Sequence, residues 1–525
     1  MKSKLTLGIM AIILINCGEN PEVPATESNP EQNSAAEIKE IQSRYNTEIP
    51  EKILTLNEVD TRIGKLEFFD GLPTRETVAR VYDNLDHIRG IETFLSGIPA
   101  TSIEGIRLGM QEMGVAEPNQ VLIFNDLMDS NPLFLTGNTS TVYVSGILDL
   151  QKHGPVVVEV PAGSGPGTVN DAFFRFVVDM GFPGPDRGKG GKYLILPPDY
   201  DAEAPEGYFV AKSTSYINWL ILRGFLVDGK TDAANKMYRE GLKIYPLKDK
   251  ANPPAMTFID GSTKSFNTIH ANTYDFYGEL SEVIHREPVS FLDPELRGLF
   301  ASIGIEKDKA FTPDERMKEI LEDAVAVGNA TARAIAFESR EDEANIFPSG
   351  HWESGFLGGS YQWLKNEGKG GRYLDARTRF FYMATVNTPA MVLKMVGLGS
   401  QYALSARDKD GDYLYGHEKY TLNIPANVPV KDFWSVVLYD PQTRSELQTS
   451  QSLPSVSSKR TALTENEDGS VTLYFGPENF APEDKRNNWL QTIPHKGWFV
   501  LFRLYGPLEP WFDKTWQPGE FELVE

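Results

Sequence analysis

Cysteine is almost absent from this sequence: Cys17 is the only one among 525 residues. A lone cysteine cannot form an intrachain disulfide, so the fold must be held by burial of apolar side chains. The seven histidines are scattered, and no His-Glu-x-x-His motif or Cys/His cluster occurs. Because zinc sites need closely spaced nitrogen and sulfur ligands, a zinc centre is not expected.

Positive charge is also scarce. The chain has 51 Lys and Arg against 73 Asp and Glu, which gives a formal net charge of −22 at pH 7. Binding to nucleic acid depends on basic residues that neutralise phosphates, and docking on anionic lipid has the same requirement. The acidic balance therefore argues against nucleic acid as a partner, and solubility is its simplest explanation.

Long apolar runs are missing as well. The longest one near the start covers residues 5–15, about 11 residues, and follows Lys2 and Lys4. A transmembrane helix needs ~20 apolar residues. The run instead fits the apolar region of a secretory signal, which has ~7–15 residues. We therefore predict that the chain is exported.

The segment after this run is Leu-Ile-Asn16-Cys17-Gly. It resembles the lipobox of bacterial lipoproteins, although Asn16 stands where Gly, Ala or Ser is usual. The resemblance implies a signal peptide over residues 1–17, acylation of Cys17 (palmitate) and anchoring in the cell envelope, at the outer membrane if the bacterium is diderm. The alternative is a weak signal peptide followed by a chance cysteine. Residues 18–37 are mostly Glu, Asn, Pro and Ser, a composition typical of a disordered tether.

The remaining chain is too long for one hydrophobic core, since cores stop growing near ~250–300 residues. Helical spacing predicts helices over about 38–115, with Thr74 as a cap and with Gly90 and Gly97 limiting the helix. Short β-branched segments predict strands from about 120 to 250, and helices return over 265–345. There, Thr312 to Glu315 reads as a capping box.

Beyond about residue 378 strands are predicted to continue to the C-terminus. The predicted division is therefore a helical lead-in with a first β domain over 38–260, a helical connecting region over 261–377 and a second β domain over 378–525. The fold class is mainly β with helical segments.

The two β regions share a sequence pattern. In each, a strand ends at proline (Pro161, Pro425), an aromatic-led strand ends at aspartate (Asp179, Asp440), a strand that begins after a glycine turn follows, and Asn-Trp-Leu comes later. These four features occur in the same order, which predicts two related domains.

The C-terminal motifs include Tyr-Thr-Leu-Asn-Ile-Pro425, Phe-Trp434-Ser-Val, Leu-Tyr439-Asp and Phe-Arg503-Leu-Tyr-Gly. This region resembles the family known as domain of unknown function 1214. The region with Asn138-Thr-Ser140-Thr-Val-Tyr is similar to family 1254, its usual N-terminal partner, in which an Asp often stands in place of Ser140. The resemblance implies a pair of tandem jelly-roll-like antiparallel β domains, with helices before and between them, in exported bacterial proteins. It implies no established activity.

Aromatic and charged residues cluster in the second β region, and they are our candidates for a site that binds a glycan or small ligand. Aromatic rings with polar partners suit such ligands, although rings on strands often belong to the core. Arg503 lies inside an apolar strand, so it needs an acidic or backbone partner. The candidates are Trp434, Tyr439, Asp440, Arg444, Trp489 and Arg503.

Asp408, Asp410 and Asp412 have the alternate spacing of a calcium loop, but the glycine comes early and the twelfth position lacks Glu. Calcium is therefore a weak candidate, an acidic turn is the alternative, and no other cofactor is predicted. The sequence has no nucleophile elbow and no phosphate-binding loop. Three function classes stay open: an envelope protein that binds a ligand, which we favour; a hydrolase of an envelope or polysaccharide substrate; and a structural or assembly component, as a homo-oligomer.

The lipid anchor is directly testable. We expect the protein to incorporate labelled palmitate, and Cys17→Ala to abolish the label because the acylated thiol is gone. Globomycin should block processing of the precursor. An unlabelled wild-type protein in the same cells would refute the anchor.

Overall fold

The computed structural model describes residues 47–524. The predicted signal peptide, Cys17 and the predicted tether over residues 18–37 lie outside these residues. The described chain opens with a small antiparallel sheet of β1 (Glu58–Thr61), β2 (Gly64–Phe69) and β3 (Leu72–Pro73). The prediction of helix is wrong for this segment, because Gly64 adopts a φ of 104° in the tight turn that joins two strands.

The central helix α1 (Arg75–Glu112) has 38 residues. The hydroxyl of Thr74 accepts a hydrogen bond from the backbone N–H of Thr77 at 3.2 Å, so the predicted cap is confirmed. The prediction that Gly90 and Gly97 limit the helix is wrong. Both glycines lie inside α1, at the places where α6 (Glu315–Phe337) and α4 (Asp275–Arg286) approach it closely. A Cβ on Gly90 would stand 2.7 Å from the Cβ of Ala324.

The helix α6 begins two residues later than the predicted capping box implies. Its N-cap is Asp314, whose carboxylate accepts a hydrogen bond from the N–H of Met317 at 2.8 Å. The cap at Thr312 is therefore wrong. A carboxylate is as good a cap as a hydroxyl and also interacts favourably with the positive end of the helix dipole.

Six further α-helices complete the helical part of the described chain. They are α2 (Leu150–His153), α3 (Asp232–Gly241), α5 (Pro294–Ala301), α7 (Leu374–Met383), α8 (Pro389–Val392) and α9 (Glu509–Phe512). Because α7 extends past residue 378 and α8 follows it, strands resume only at Ser400, later than predicted.

The first β domain contains two sheets that pack face to face. Its strands are β4 (Gln120–Ile123), β5 (Val142–Asp149), β6 (Val156–Val160), β7 (Pro166–Asp171), β8 (Phe176–Gly181), β9 (Gly191–Leu196), β10 (Phe209–Lys212), β11 (Ile217–Gly224), β12 (Lys243–Pro246) and β13 (Thr257–Asp260). One sheet has the order β10-β9-β6-β12, and the other has the order β13-β4-β5-β11-β7-β8. Apolar side chains from both sheets form a shared core between them.

The second β domain repeats this arrangement. Its strands are β14 (Ser400–Ser405), β15 (Tyr420–Ile424), β16 (Val430–Tyr439), β17 (Ser455–Ser457), β18 (Val471–Gly476), β19 (Trp489–Gln491), β20 (Phe499–Pro507) and β21 (Phe521–Leu523). Its sheets have the orders β14-β20-β16-β17 and β19-β18-β15-β21. If the strands β5–β12 and β14–β21 are each numbered from one to eight, both domains have the sheet orders 1-7-3-4 and 6-5-2-8. In both, only the 5–6 pair is parallel.

This topology supports the predicted duplication but corrects its details. The strands that end at Pro161 and Pro425 occupy position two in both domains, and β9 and β18 both occupy position five. The other two correspondences are wrong. The strand that contains Asp179 is the fourth of its domain, whereas the strand before Asp440 is the third, and the Asn-Trp-Leu triplets lie on the seventh and sixth strands.

A layer of helices lies between the two β domains. The core of this layer includes α1, α4, α6 and α7, and it also takes side chains from the outward faces of β11 and β20. Helix makes up 29% of the described residues and strand 26%, which is consistent with a mainly β fold with helices before and between two β domains. The jelly-roll topology is not confirmed. Among residues 47–524, no helix is both long and apolar enough to span a membrane.

Substitution by alanine should have opposite effects on the free energy of unfolding at two helical glycines, because Gly90 is closely packed and Gly298 is not. Gly90→Ala should lower the free energy of unfolding by about 1 kcal/mol, because overpacking costs ~1–3 kcal/mol and the alanine returns ~1 kcal/mol of helix propensity. The matched control is Gly298→Ala in α5, where an added Cβ meets nothing within 4 Å. This control should raise the free energy of unfolding by up to ~1 kcal/mol. Urea unfolding measures both; equal effects would contradict the packing argument.

Candidate functional site

A cavity lies where the two β domains and the helical layer meet, and we call it the junction cavity. Its outer chamber of about 390 Å³ is lined by the first domain and by residues 386–400. Its inner chamber is lined by both domains and by α7. The inner chamber has a volume of about 70 Å³, and the side chains of Arg223, Val386 and Met391 line both chambers, so the two are adjacent.

Strand alternation places an arginine from each domain at the inner chamber. Successive side chains of a strand point to opposite faces, so Leu220 and Leu222 of β11 enter the sandwich core while Arg223 faces outward. In β20 the same alternation turns Arg503 outward. Both strands are the seventh of their domain, and both arginines therefore reach the space between the domains.

Each arginine has a tyrosine as its cross-strand neighbour. Arg223 is paired in register with Tyr143 of β5, and Arg503 with Tyr402 of β14. The guanidinium carbons lie 5.8 Å and 6.0 Å from the respective ring centroids. The duplication thus places two equivalent Arg–Tyr pairs, one from each domain, at the same cavity.

Arg503 is buried, and the polar groups around it are ordered. It donates hydrogen bonds to the hydroxyl of Tyr439 at 2.6 Å and to the backbone carbonyls of Thr136 and Gly137 at 2.8 and 3.0 Å. The two carbonyls belong to the first domain, so this bond network joins the domains. The predicted backbone partner of Arg503 is therefore present.

The segment that supplies these carbonyls contains the Asn138 motif. The side-chain oxygen of Asn138 accepts hydrogen bonds from the backbone N–H groups of Ser140 and Thr141 at 2.8 and 3.0 Å, and its amide donates to the hydroxyl of Tyr143. The motif thus orders the loop and orients a tyrosine of the cavity. The hydroxyl of Ser140 is buried without a hydrogen-bond partner among residues 47–524.

Arg223 differs from Arg503 in that its side chain makes no comparable network within the described part of the chain. Burial lowers the pKa of its guanidinium, and the oxygens of Tyr143, Tyr402 and Tyr505 outweigh this, so the pKa stays above its ordinary value and the group stays charged. The ion pairs formed between described residues include Arg379 with Glu353 at the same chamber, but neither Arg223 nor Arg503. Apart from its interaction with the hydroxyl of Tyr402, the side chain of Arg223 bonds to no described residue, so donors remain available to a ligand in the cavity.

Glu446 is a buried carboxyl group close to this network. Its Oε1 lies 3.4 Å from the position where a Cβ on Gly137 would stand, and both of its oxygens lack hydrogen-bond partners within residues 47–524. Burial raises the pKa of Glu446 to about 8, and the charge of Arg503 offsets only part of this effect. The group is therefore largely protonated at neutral pH.

The outer chamber contains one carboxyl group among its described lining residues, Asp179. Both of its oxygens accept hydrogen bonds from the hydroxyl of Thr388, at 2.7 and 2.8 Å. Burial raises the pKa of Asp179, while the bonds to Thr388 and Thr168 and the charge of Arg223 lower it. This carboxyl group links the first domain to the connecting segment.

The structure brings together two of the six predicted ligand-binding residues, Tyr439 and Arg503. Trp434 points into the core of the second sandwich. Trp489 lies in the opposite sheet and donates to the carbonyl of Gly476 at 3.1 Å.

The two remaining candidates lie near the turn after β16. Asp440 pairs with Lys496 at 2.6 Å. Arg444 is buried, stacks over Tyr382 with 4.2 Å to the ring centroid and donates to the carbonyl of that residue at 3.1 Å. The six residues do not line one cleft, and a ligand-binding role for those outside the cavity stays a prediction.

The acidic turn predicted as a weak calcium site is organised by hydrogen bonds. One carboxylate oxygen of Asp408 accepts from the N–H groups of Asp410 and Asp412, both at 3.0 Å. Within residues 47–524, no group of three or more His, Cys, Asp or Glu side chains is arranged to hold a metal ion. Calcium binding at this turn stays an untested prediction.

Sequence reasoning missed Arg223, Tyr143, Tyr402 and Tyr505. The signal for Arg223 is present, because Ile217–Gly224 is an apolar strand with an internal arginine, as is the strand of Arg503. The incorrect alignment of the Asn-Trp-Leu triplets hid this correspondence, since it paired β11 with β19 and not with β20. Tyr143 and Tyr505 stand in the two family motifs quoted above, whereas Tyr402 carries no such signal.

Comparisons with known proteins identify both regions. Residues 118–246 match the family described as protein of unknown function DUF1254, and residues 399–509 match DUF1214, also of unknown function. The predicted order of the two families is confirmed. Arg223 and Tyr143 fall in the first match, and Arg503 and Tyr402 in the second. No curated protein matches the chain.

Two solved structures are similar to this chain. The VPA0106 protein from Vibrio parahaemolyticus is 18% identical with a TM-score of 0.51, over 84% of this chain and 100% of that one. This likeness concerns the fold alone. An uncharacterised protein from Burkholderia cenocepacia is 13% identical with a TM-score of 0.38, over 85% of this chain and 96% of that one.

Glu446 predicts a specific pH dependence of stability. Below its unfolded-state pKa of 4.5 the folded and unfolded chains both hold the proton, so the group has no effect. Between pH 4.5 and about 8 only the folded chain keeps the proton, so stability is lost as the pH rises, by on the order of 1.4 kcal/mol per pH unit. Glu446→Gln should remove this loss.

Urea unfolding of the wild type and of E446Q between pH 4.5 and 8.5 measures the difference. The exposed Glu522 supplies the matched control, and E522Q should follow the wild type at every pH. A constant difference between the wild type and E446Q over this range would contradict a protonated Glu446.

Proposed function

We propose that this chain, which carries a DUF1254 region followed by a DUF1214 region, binds a small anionic ligand in the junction cavity. The observation that carries the proposal is the pair of arginines contributed by the two domains, Arg223 and Arg503, neither of which forms an ion pair within residues 47–524. Both arginines line the inner chamber of the junction cavity. A buried guanidinium without a carboxylate partner is stabilised by an anion.

The two arginines have different roles in this proposal. Arg503 already has hydrogen-bond partners, so it supplies positive charge and holds the two domains together. Arg223 has free donors at the boundary of the two chambers, and a guanidinium binds a carboxylate or phosphate through two parallel hydrogen bonds. Arg223 is therefore the direct contact with the anionic group.

The walls of the cavity indicate the rest of the ligand. The inner chamber has the rings of Tyr143, Tyr402 and Tyr505, and the outer chamber has Thr168 and Asp179. Ring faces suit the apolar face of a sugar, and hydroxyl and carboxyl groups suit its hydroxyls. An acidic sugar, free or at the end of a glycan, combines both requirements.

The proposed setting is the bacterial cell envelope. A lipid on Cys17 would hold the protein at a membrane, and residues 18–37 would separate the β domains from it. In that position the cavity would be accessible to small anions and to the acidic ends of glycans outside the cytoplasm. The apolar run, the lipobox-like segment and the composition of the tether support this setting.

The hydrolase alternative has less support from the described site. Most glycosidases use two carboxyl groups on either side of the bond that is cleaved. Among the described residues that line the two chambers, Asp179 is the one carboxyl group. We therefore favour binding over hydrolysis. An assembly role as a homo-oligomer stays a prediction.

The binding proposal can be tested with D-glucuronate as the probe and D-glucose as its neutral counterpart. Isothermal titration calorimetry should show binding of D-glucuronate, and Arg223→Gln should weaken it by about tenfold or more, because a hydrogen bond to a charged group contributes ~1.5–3 kcal/mol. D-glucose should bind at least about tenfold more weakly than D-glucuronate for the same reason.

The matched control is Arg340→Gln, since the side chain of Arg340 is 80% exposed and lines neither chamber of the junction cavity. R340Q should bind D-glucuronate as the wild type does. Equal binding of glucuronate and glucose, or equal affinity in R223Q and R340Q, would contradict a role of Arg223 in anion recognition. Thermal unfolding of each variant checks that the fold is retained.

A further inference from the structure

A second large cavity lies on the other side of the connecting segment, and we call it the arginine cavity. Its volume is about 780 Å³, and it shares no lining residue with the junction cavity. It is bounded by the start of β8, by α5, by α7 and by the loop over residues 361–364. Its size falls in the ~300–1,000 Å³ range typical of small-molecule sites.

Three arginines line this cavity: Arg175, Arg372 and Arg377. Arg175 pairs with Asp171 at 2.6 Å and donates to the carbonyl of Phe291 at 2.8 Å. The other two have no carboxylate within ion-pair distance in the described part of the chain. Of the three guanidinium groups, only that of Arg175 is therefore paired directly with a carboxylate among the described residues.

The arginines are close enough to disfavour one another's charge. Burial, together with the charge of Arg372, lowers the pKa of Arg377 to about 10. Burial also lowers the pKa of Arg372, and the charge of Arg175 adds to this effect. Like charges in a partly buried site are costly, and a bound anion relieves that cost.

Two guanidinium nitrogens at this cavity are buried and unpaired. Nη2 of Arg175 and Nε of Arg377 have no hydrogen-bond partner among residues 47–524. An unsatisfied buried donor costs about 1–3 kcal/mol, and more when the group is charged. These two nitrogens are themselves shielded from the cavity, so an oxyanion bound there acts on the arginines mainly through their charge.

The acidic side chains at this cavity are already engaged or lie at its edge. Asp171 accepts from Arg175 and from the hydroxyl of Thr214, and Asp293 caps α5 by accepting from the N–H of Leu296 at 2.9 Å. Asp293 favours the charge of Arg372 and Arg377 from a distance, but neither Asp171 nor Asp293 forms an ion pair with them. The third, Glu295, is exposed on the first turn of α5.

The remaining walls are apolar and rich in rings. Phe173 and Phe381 are buried, and Trp363 packs edge-to-face against Phe381 with 5.6 Å between the ring centroids. The indole N–H of Trp363 is also buried without a partner among the described residues. The leucines of α5 complete the apolar side, and the full set of apolar lining residues is Phe173, Phe174, Phe176, Val177, Leu292, Leu296, Leu299, Trp363, Leu364, Leu374 and Phe381.

We propose that the arginine cavity binds a small amphiphilic anion, in which a carboxylate or phosphate is attached to an aromatic or aliphatic group. The oxyanion contacts Arg372 and Arg377, and Arg175 adds positive charge beside it. The apolar group lies against the phenylalanine and leucine side chains. This site differs from the junction cavity in its residues and in its preference for an apolar ligand body.

Phenyl phosphate is a suitable probe, with inorganic phosphate and phenol as its two separate halves. Isothermal titration calorimetry on the full-length protein should show binding of phenyl phosphate. Phosphate alone and phenol alone should each bind at least about tenfold more weakly, because each lacks one set of contacts. Arg372→Gln and Arg377→Gln should each weaken phenyl phosphate binding by about tenfold or more.

Two control variants separate this site from the rest of the protein. R340Q changes an exposed arginine outside both cavities, and R223Q changes the junction cavity. Both should bind phenyl phosphate as the wild type does. Arg372 is an exposed residue, so R372Q keeps the fold even if R377Q does not.

Three results would overturn the proposal: no binding of phenyl phosphate to the wild type at 10 mM probe, undiminished binding in R372Q, or equal affinity for phosphate and phenyl phosphate. Loss of binding in R223Q with retention in R372Q would assign the probe to the junction cavity and would also overturn it. Glucuronate binding in R372Q should be unchanged, so failure here is distinguishable from failure of the proposed function.

Discussion

The arrangement of this protein depends on the burial of one charge, that of Arg503. A guanidinium inside an apolar strand needs acceptors, and it finds them in the hydroxyl of Tyr439 and in two backbone carbonyls of the other domain. This requirement fixes the loop of Asn138 against the second sandwich. The cavity between the domains, the orientation of Tyr143 and the position of Arg223 all follow from that contact.

Duplication explains why charge accumulates at this junction. Eight strands occur in the same order in both domains, and the seventh strand of each carries an arginine opposite a tyrosine on the first strand. When the two sheets face the same helical layer, equivalent positions meet in space. One arginine is then satisfied by the protein, and the other keeps free donors, which is the asymmetry that a ligand site needs.

Sequence patterns predicted the fold class and fewer than half of the strands, because β-branched runs bounded by turn residues depend on local physics. They failed where long-range packing outweighs local preference. Glycine lowers helix propensity, yet α1 passes through Gly90 and Gly97 because neighbouring helices need the space of a missing side chain. At the site, Arg503 and its need for a partner were predictable from one strand, whereas Arg223, Tyr402 and Tyr505 became part of one cavity only through the pairing of strands far apart in the chain.

The sequence alone determined the order of the two family regions and the apolar segment with Cys17 that predicts export. It also determined that Arg503, a charged residue in an apolar strand, needs a polar partner. Each of these is a local property of the residues concerned. Tertiary structure decided which strands are equivalent, which arginines lack partners and which residues share a cavity. These are relations between residues up to several hundred positions apart, such as Thr136 and Arg503, and hydrophobic periodicity contains no information about them.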